Sequence, residues 1–149
     1  MKLNLLIPFL VAGFCPPLFT QINWQTTDGP EGGATWYIYH NDQYAFCPDE
    51  YNFYRTADGL NWEQLPYGNL WPIACSPSTL AALQGYGFGY TLPKPRFVVS
   101  HDNGLTWAEG TLPPTKYGGF SSIAVCSHGI YVPDGSQNSI YRSQDDGMT

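Results

Sequence analysis

The sequence predicts an all-β fold assembled from a repeated four-stranded antiparallel unit, and three observations carry that expectation. Thirteen Pro and sixteen Gly are spread along the 149 residues instead of clustering, so they cut the chain into short segments joined by turns. Aromatic residues are plentiful, with 11 Tyr, 8 Phe and 5 Trp against 12% charged residues, which favours an ordered core; no stretch reads as a long amphipathic helix. The third observation is an internal repeat.

Tyr54-Arg55-Thr56-Ala57-Asp58-Gly59-Leu60-Asn61-Trp62 lines up with Val98-Val99-Ser100-His101-Asp102-Asn103-Gly104-Leu105-Thr106-Trp107 and with Tyr141-Arg142-Ser143-Gln144-Asp145-Asp146-Gly147-Met148-Thr149. Each copy is an apolar strand end, a Ser or Thr, an Asp two places on, and a Gly; Trp62 and Trp107 close the first two. Asp58 to Asp102 is 44 positions and Asp102 to Asp145 is 43, the span of a four-stranded repeat unit. The residue types suit a tight hairpin. The hydroxyls of Thr56, Ser100 and Ser143 and the carboxylates of Asp58, Asp102 and Asp145 can bond backbone N–H groups, while Gly59, Gly104 and Gly147 supply the positive φ the turn needs. The tryptophans bury a large ring where a two-stranded ribbon alone would be marginal.

This pattern resembles the Asp-box, or BNR, family, whose motif is Ser/Thr-x-Asp-x-Gly-x-Thr-Trp. The copy from Ser100 through Thr106 to Trp107 fits it fully; the first lacks one residue between Asp58 and Gly59, and the third reaches Thr149 one position before its Trp. The resemblance implies a β-propeller of four-stranded blades. Since roughly four to eight blades close such a ring, the chain reads as the N-terminal part of a propeller with less than three blades, occupying 21–149.

The units divide accordingly. Blade one, 34–66, should hold strands near 35–40, 44–47, 52–56 and 61–65. Blade two, 70–111, should hold 70–75, 79–83, 96–100 and 106–110. Partial blade three, 119–149, should hold 120–126, 129–133 and 139–143. Several of these are nearly continuous apolar runs, as expected where both faces of a sheet are covered. Residues 22–27, around Trp24, resemble the strand that follows a box and read as a closing strand.

Residues 1–20 differ from the rest: Lys2, an apolar run from Leu5 to Phe14, then Cys15-Pro16-Pro17, the layout of a secretory signal peptide. Cleavage is expected near Thr20-Gln21, giving a secreted (extracellular or periplasmic) product with no lasting membrane segment, because the prolines and short apolar length do not suit a spanning helix. Twelve acids against six bases, net −6, leave no basic patch for nucleic acid. Cys47, Cys75 and Cys126 remain after cleavage, an odd number that permits at most one internal disulfide and leaves the redox state open.

The box aspartates could be read as catalytic acids or calcium ligands, but a catalytic acid is needed once and a turn residue in every unit, so they are structural; a calcium loop would need more oxygen ligands than these turns hold. Cys126-x-His128 is a lone pair without a second at metal spacing, so no metal and no cofactor is expected. Sialidases, which share the repeat, resemble one another in an arginine triad, an early Arg-Ile-Pro and a Tyr/Glu pair. This chain has only Arg55, Arg96 and Arg142 and no Arg-Ile-Pro; Arg55 and Arg142 occupy the same repeat position, which points to a surface or packing role. Xyloglucanase-type propellers use an early and a distant aspartate, and Asp28, Asp42 or Asp49 could be the early one; a glycosidase needs both carboxylates across the sugar.

Trp24-x4-Gly29-Pro30-x-Gly32-Gly33 resembles the start of sortilin-like and photosystem II assembly-factor-like propellers, which implies a binding or assembly module. The expected function is therefore a non-catalytic propeller that binds a protein or glycan, with a glycoside hydrolase of the same fold as the alternative. In a four-stranded meander the boxes share one rim with the turns near Asn41 and Ser127. The opposite rim carries 48–51, 84–95, 134–138 and the linkers 66–69 and 113–119. Tyr67, Tyr86, Phe88, Tyr90, Lys94, Lys116 and Tyr117 are the expected ligand face, aromatic rings with a few polar groups suited to sugars or a protein partner.

Overall fold

A computed structural model describes residues 24–30, 34–87, 90–114, 120, 122–134 and 138–148. Among these the chain is all-β: eleven strands, no helix, and so none long and apolar enough to cross a membrane. Residues 1–20, read as a signal peptide, lie outside the described residues, as do Phe88, Lys116 and Tyr117.

The strands form three antiparallel sheets, each an uninterrupted up-and-down meander. The first contains β1 (Tyr39–His40), β2 (Ala45–Pro48), β3 (Phe53–Thr56) and β4 (Glu63–Leu65); the second β5 (Leu70–Cys75), β6 (Leu80–Gly87), β7 (Tyr90–Ser100) and β8 (Ala108–Gly110). The third contains β9 (Ala124–Cys126), β10 (Gly129–Asp134) and β11 (Ser139–Ser143). Short polar side chains close the turns. Asn41 Oδ1 accepts from the N–H of Gln43 and of Tyr44, both at 2.9 Å, between β1 and β2. Asp49 Oδ1 accepts from Tyr51 N at 2.7 Å and Asn52 N at 2.5 Å between β2 and β3. Such side-chain acceptors hold a turn without help from tertiary contacts.

The second sheet is buried on both faces. Alternation along β6 and β7 sends Leu80, Ala82 and Val98 into a core with Phe46, Phe53, Leu65, Leu70 and Ile73, and sends Ala81, Leu83, Phe97 and Val99 into another with Phe120, Ile130 and Val132. The continuous apolar runs thus follow from a sheet sandwiched between two others. The first strands lie nearest one another, β1 against β5 and β5 against β9.

Prolines sit where a missing N–H costs no ladder bond. Pro72 lies on edge strand β5 at a register shift between Leu70 and Ile73, and Pro133 pairs with β11 beyond the reach of β9. A larger irregularity corrects the expectation that 84–95 is an irregular loop: β6 and β7 continue as a ladder through Tyr86↔Thr91 and Gly87↔Tyr90. Between Gln84↔Arg96 and Tyr86↔Thr91 the register shifts, with Gly85 at φ 78° donating its N–H to Asn69 O at 3.0 Å. The bulge absorbs Pro93 and Pro95, so pairing resumes past residues that read as breakers. Two other segments are shorter than expected. Residues 35–38, 120 and 122–123 form no ladder, and neither do 24–27, where Trp24 is 93% exposed and a backbone bond runs from Asp28 N to Leu60 O at 3.2 Å.

Candidate functional site

The repeated motif occupies the same place in successive sheets: Thr56–Trp62 joins β3 to β4, Ser100–Trp107 joins β7 to β8, and Ser143–Gly147 follows β11. In each, the hydroxyl sits between the Asp carboxylate and the Gly N–H. Ser100 Oγ donates to Asp102 Oδ1 at 2.8 Å and accepts from Gly104 N at 2.9 Å; Ser143 Oγ does the same with Asp145 Oδ1 at 2.8 Å and Gly147 N at 2.7 Å. Thr56 Oγ1 donates to Asp58 Oδ1 and accepts from Gly59 N, both at 3.0 Å.

The one-residue deletion in the first copy has a visible result. Copies two and three turn on two left-handed residues in a row, Asn103-Gly104 and Asp146-Gly147, whereas the first has only Gly59. Its Asn61 replaces Thr106 as the side-chain donor: Asn61 Nδ2 reaches Asp58 Oδ2 at 2.7 Å, Thr106 Oγ1 reaches Asp102 Oδ2 at 2.5 Å. The indoles differ too. Trp107 Nε1 donates to Gly104 O at 3.1 Å, while Trp62 Nε1 is buried with no hydrogen-bond partner among the described residues.

These bonds fix the charge of the carboxylates. Donation from the Asn61 side chain and N–H, the Leu60 N–H and the Thr56 hydroxyl holds Asp58 well below the usual carboxylate range. For Asp102, desolvation pushes upward, but the Thr106 hydroxyl and N–H, the Ser100 hydroxyl and the Leu105 N–H outweigh it and hold the group at about 2. An acid locked as its anion by turn donors cannot serve as a proton donor near neutrality. Asp49 is likewise lowered, its burial outweighed by donors from Asn52, Tyr51 and Tyr54, and it closes the β2–β3 turn.

The box rim also fastens the sheets to one another. Asn103 takes a hydrogen bond from Asn41 Nδ2 at 2.8 Å and gives one to Gln43 Oε1 at 3.0 Å, while its carbonyl accepts from Arg55 NH1 at 2.9 Å. Arg55 is 10% exposed, lies 4.6 Å from the Tyr44 ring centroid and pairs through Nε with Glu63. Between the second and third sheets, His101 Nε2 lies 2.9 Å from Asp146 Oδ2 and Thr111 N donates to Gly147 O at 2.5 Å, while within the second sheet His101 Nδ1 lies 3.2 Å from Thr79 Oγ1. Arg142, the counterpart of Arg55, donates to His128 O at 2.6 and 3.0 Å and faces the Tyr131 ring at 5.9 Å. Arg55 is thus a buried tie between two sheets, whereas Arg142 is exposed and bonds within its own sheet.

Tyr67, placed in the expected ligand face, is half-buried: its ring stacks on Trp107 at 5.8 Å, and Trp107 meets Phe53 edge-on at 6.1 Å. A linker ring beside the incoming strand has a core to cover, which a linear reading of 66–69 does not reveal. Tyr86, Tyr90 and Lys94 lie on the extended β6–β7 ladder, and only their backbone is described.

A different aromatic group occupies the rim away from the boxes. Trp36 is 70% exposed and Tyr37 46% exposed, with Tyr37 6.2 Å from Trp71 and 6.3 Å from Tyr39. Residues 36–37 enter β1, whose far end is the Asn41 turn, and Trp71 is at the start of β5, whose far end leads to Thr79 beside His101. The cluster therefore lies at the starts of the inner strands, on the rim opposite the boxes. The signal in sequence was Trp36-Tyr37-Ile38-Tyr39, four large apolar residues at a strand entry.

Cys47, Cys75 and Cys126 are free thiols; burial pushes Cys75 up to about 12 and also raises Cys47. Cys126 Sγ accepts from His128 N at 3.4 Å, and among the described residues no three His, Cys, Asp or Glu gather as metal ligands would. No family model matches the chain, and no curated protein or solved structure does either.

Proposed function

We propose that this chain is a secreted, non-catalytic Asp-box propeller module that binds a protein or glycan partner through the rim opposite its boxes. Three features support the propeller reading: equivalent box hairpins in successive meanders, first strands gathered together, and a middle sheet covered on both faces. The observation that carries the binding reading is the contrast between the rims. On the box rim Asn41, Gln43, Arg55, His101, Asn103 and Asp146 bond one another across sheets, so their polar groups are consumed in holding the fold. On the opposite rim Trp36 and Tyr37 present large rings to solvent beside Trp71, a stacking surface of the kind sugars and protein anchors use.

The test is binding of the full chain to an oligosaccharide array and, in parallel, to a displayed-peptide library. Replacing Trp36 and Tyr37 by Ala should abolish retention while Asn103→Ala leaves it intact; the reverse pattern places the ligand on the box rim and refutes the proposal. Release of reducing ends from any bound oligosaccharide would favour the glycosidase instead.

A further inference from the structure

The sequence holds a single Asn-Gly pair, Asn103-Gly104, and it lies in the second box. Asparagine before glycine is the pairing most prone to lose its side-chain amide, because the glycine has no side chain to shield its backbone nitrogen from the neighbouring amide carbon. The turn asks for this pair. Both residues are left-handed, with φ of 57° and 88°, and Asn and Gly are the residue types that accept such backbone at least cost. The third box meets the same demand with Asp146-Gly147, at 57° and 75°.

Both reacting groups are tied down in the folded chain. The Gly104 N–H, the nucleophile, donates to Ser100 Oγ at 2.9 Å, and the glycine is buried so close to Leu65 Cδ1 that an added Cβ would lie 2.8 Å from it. Turning that nitrogen toward its neighbour disturbs the core. The Asn103 amide, the electrophile, is gripped by Asn41 Nδ2 at 2.8 Å and Gln43 Oε1 at 3.0 Å, and the backbone carbonyl by Arg55 NH1 at 2.9 Å. Asn41 and Gln43 lie in the turn between β1 and β2, and Arg55 lies on β3. Separating the first sheet from the second therefore frees the amide and the carbonyl together.

We propose that Asn103 is a modification site locked by the contact between the first two sheets, converting to aspartate or isoaspartate when they part. The Gly104 nitrogen bonds to Asn103 Cγ, the bond from Cγ to Nδ2 breaks, and the Gly104 proton leaves with that nitrogen as ammonia. Water then opens the succinimide ring at either carbonyl, and nothing is oxidised or reduced. One opening gives aspartate, a residue type the left-handed position accepts, as Asp146 does, but its carboxylate has no proton to donate to Gln43 Oε1. The other gives isoaspartate, which lengthens the backbone by a methylene inside a hairpin packed on Leu65 and Phe53. Either product weakens the tie between the sheets, so the site keeps a chemical record of having opened.

The test follows the amide-to-acid mass gain at Asn103 by peptide mapping of the full chain in mildly alkaline buffer, beside a synthetic peptide copying residues 98–107. The folded chain should convert about a hundredfold more slowly than the peptide, the suppression expected when reaction waits on a local opening. Urea should raise the rate along the unfolding curve until it meets that of the peptide. Without urea, Gln43→Ala, which frees Asn103 Nδ2, should speed conversion about fivefold, with tryptophan fluorescence confirming that the variant is folded. Asp146→Gly, which cuts the tie between the second and third sheets, should leave the rate unchanged. Equal rates in the folded chain and the peptide, or a rate that stays flat through the unfolding transition, would overturn the proposal. So would a folded Gln43→Ala that converts no faster than the parent, or acceleration by Asp146→Gly in its place.

Discussion

Replacing the box glycines by alanine should destabilise the protein unequally, although the same position of the same motif is changed. Gly59 and Gly104 both adopt left-handed backbone, with φ of 75° and 88°, and forcing an L side chain there costs about 1 kcal/mol at either position. The surroundings differ. A Cβ on Gly59 meets nothing within 4 Å, whereas one on Gly104 falls 2.8 Å from Leu65 Cδ1 and 3.0 Å from Phe53 Cε1, both in the core between the first two sheets. Pushing a methyl into that core adds about 2 kcal/mol of overpacking. Gly59→Ala should therefore cost about 1 kcal/mol and Gly104→Ala about 3 kcal/mol. With a urea m-value of about 2 kcal/mol/M, the midpoints fall by about 0.5 M and about 1.5 M. Urea unfolding followed by tryptophan fluorescence measures both. Equal losses, or a larger loss for Gly59→Ala, would refute the claim that the second box packs on the neighbouring sheet while the first does not.

Three further outcomes follow from the same geometry. Trp107→Ala should cost about 3 kcal/mol, since it removes a ring packed on Phe53 and Tyr67 together with the bond to Gly104 O, and Trp62→Ala markedly less; thermal melts that rank them the other way contradict this. Because Asp49, Asp58 and Asp102 have folded-state pKa values below those of the unfolded chain, their contribution is complete above about pH 5 and is lost progressively as pH falls through 4 to 2 and below; Asp102→Asn should flatten the stability profile in that window, and an unchanged slope argues against the turn bonds. With burial holding Cys75 at about 12 and raising Cys47, iodoacetamide at pH 8 should modify the exposed Cys126 first, and peptide mass mapping that finds Cys75 labelled as fast would show the inner strand β5 open.

Turn chemistry and apolar runs were legible in the sequence, because both are local. The runs 70–75 and 139–143 coincide with β5 and β11; Asp58 and Asp102 accept from N–H groups of their own turns, and Asp145 from the Ser143 hydroxyl. What could not be read was set by partners far along the chain. Pro93 and Pro95 announce a break, yet a bulge opposite Gly85 lets Tyr86 pair with Thr91. Tyr67 has the composition of a surface loop residue and becomes a packing ring only because Trp107, forty residues later, arrives beside it. Asn103 and His101 look like exposed turn residues; their partners are Asn41, Gln43 and Asp146 in neighbouring sheets. The aromatic cluster of Tyr37 and Trp71 joins residues from two sheets and has no single-segment signature.

The central claim is that the meanders stack face to face, with the strand after one box keyed into the preceding sheet. Nuclear Overhauser contacts from the Trp107 indole test it most directly. With ring centroids 5.8 Å from Tyr67 and 6.1 Å from Phe53, the indole should show cross-peaks to the ring protons of both. Cross-peaks confined to its own hairpin, around Leu105 and Ala108, would contradict the stacked arrangement.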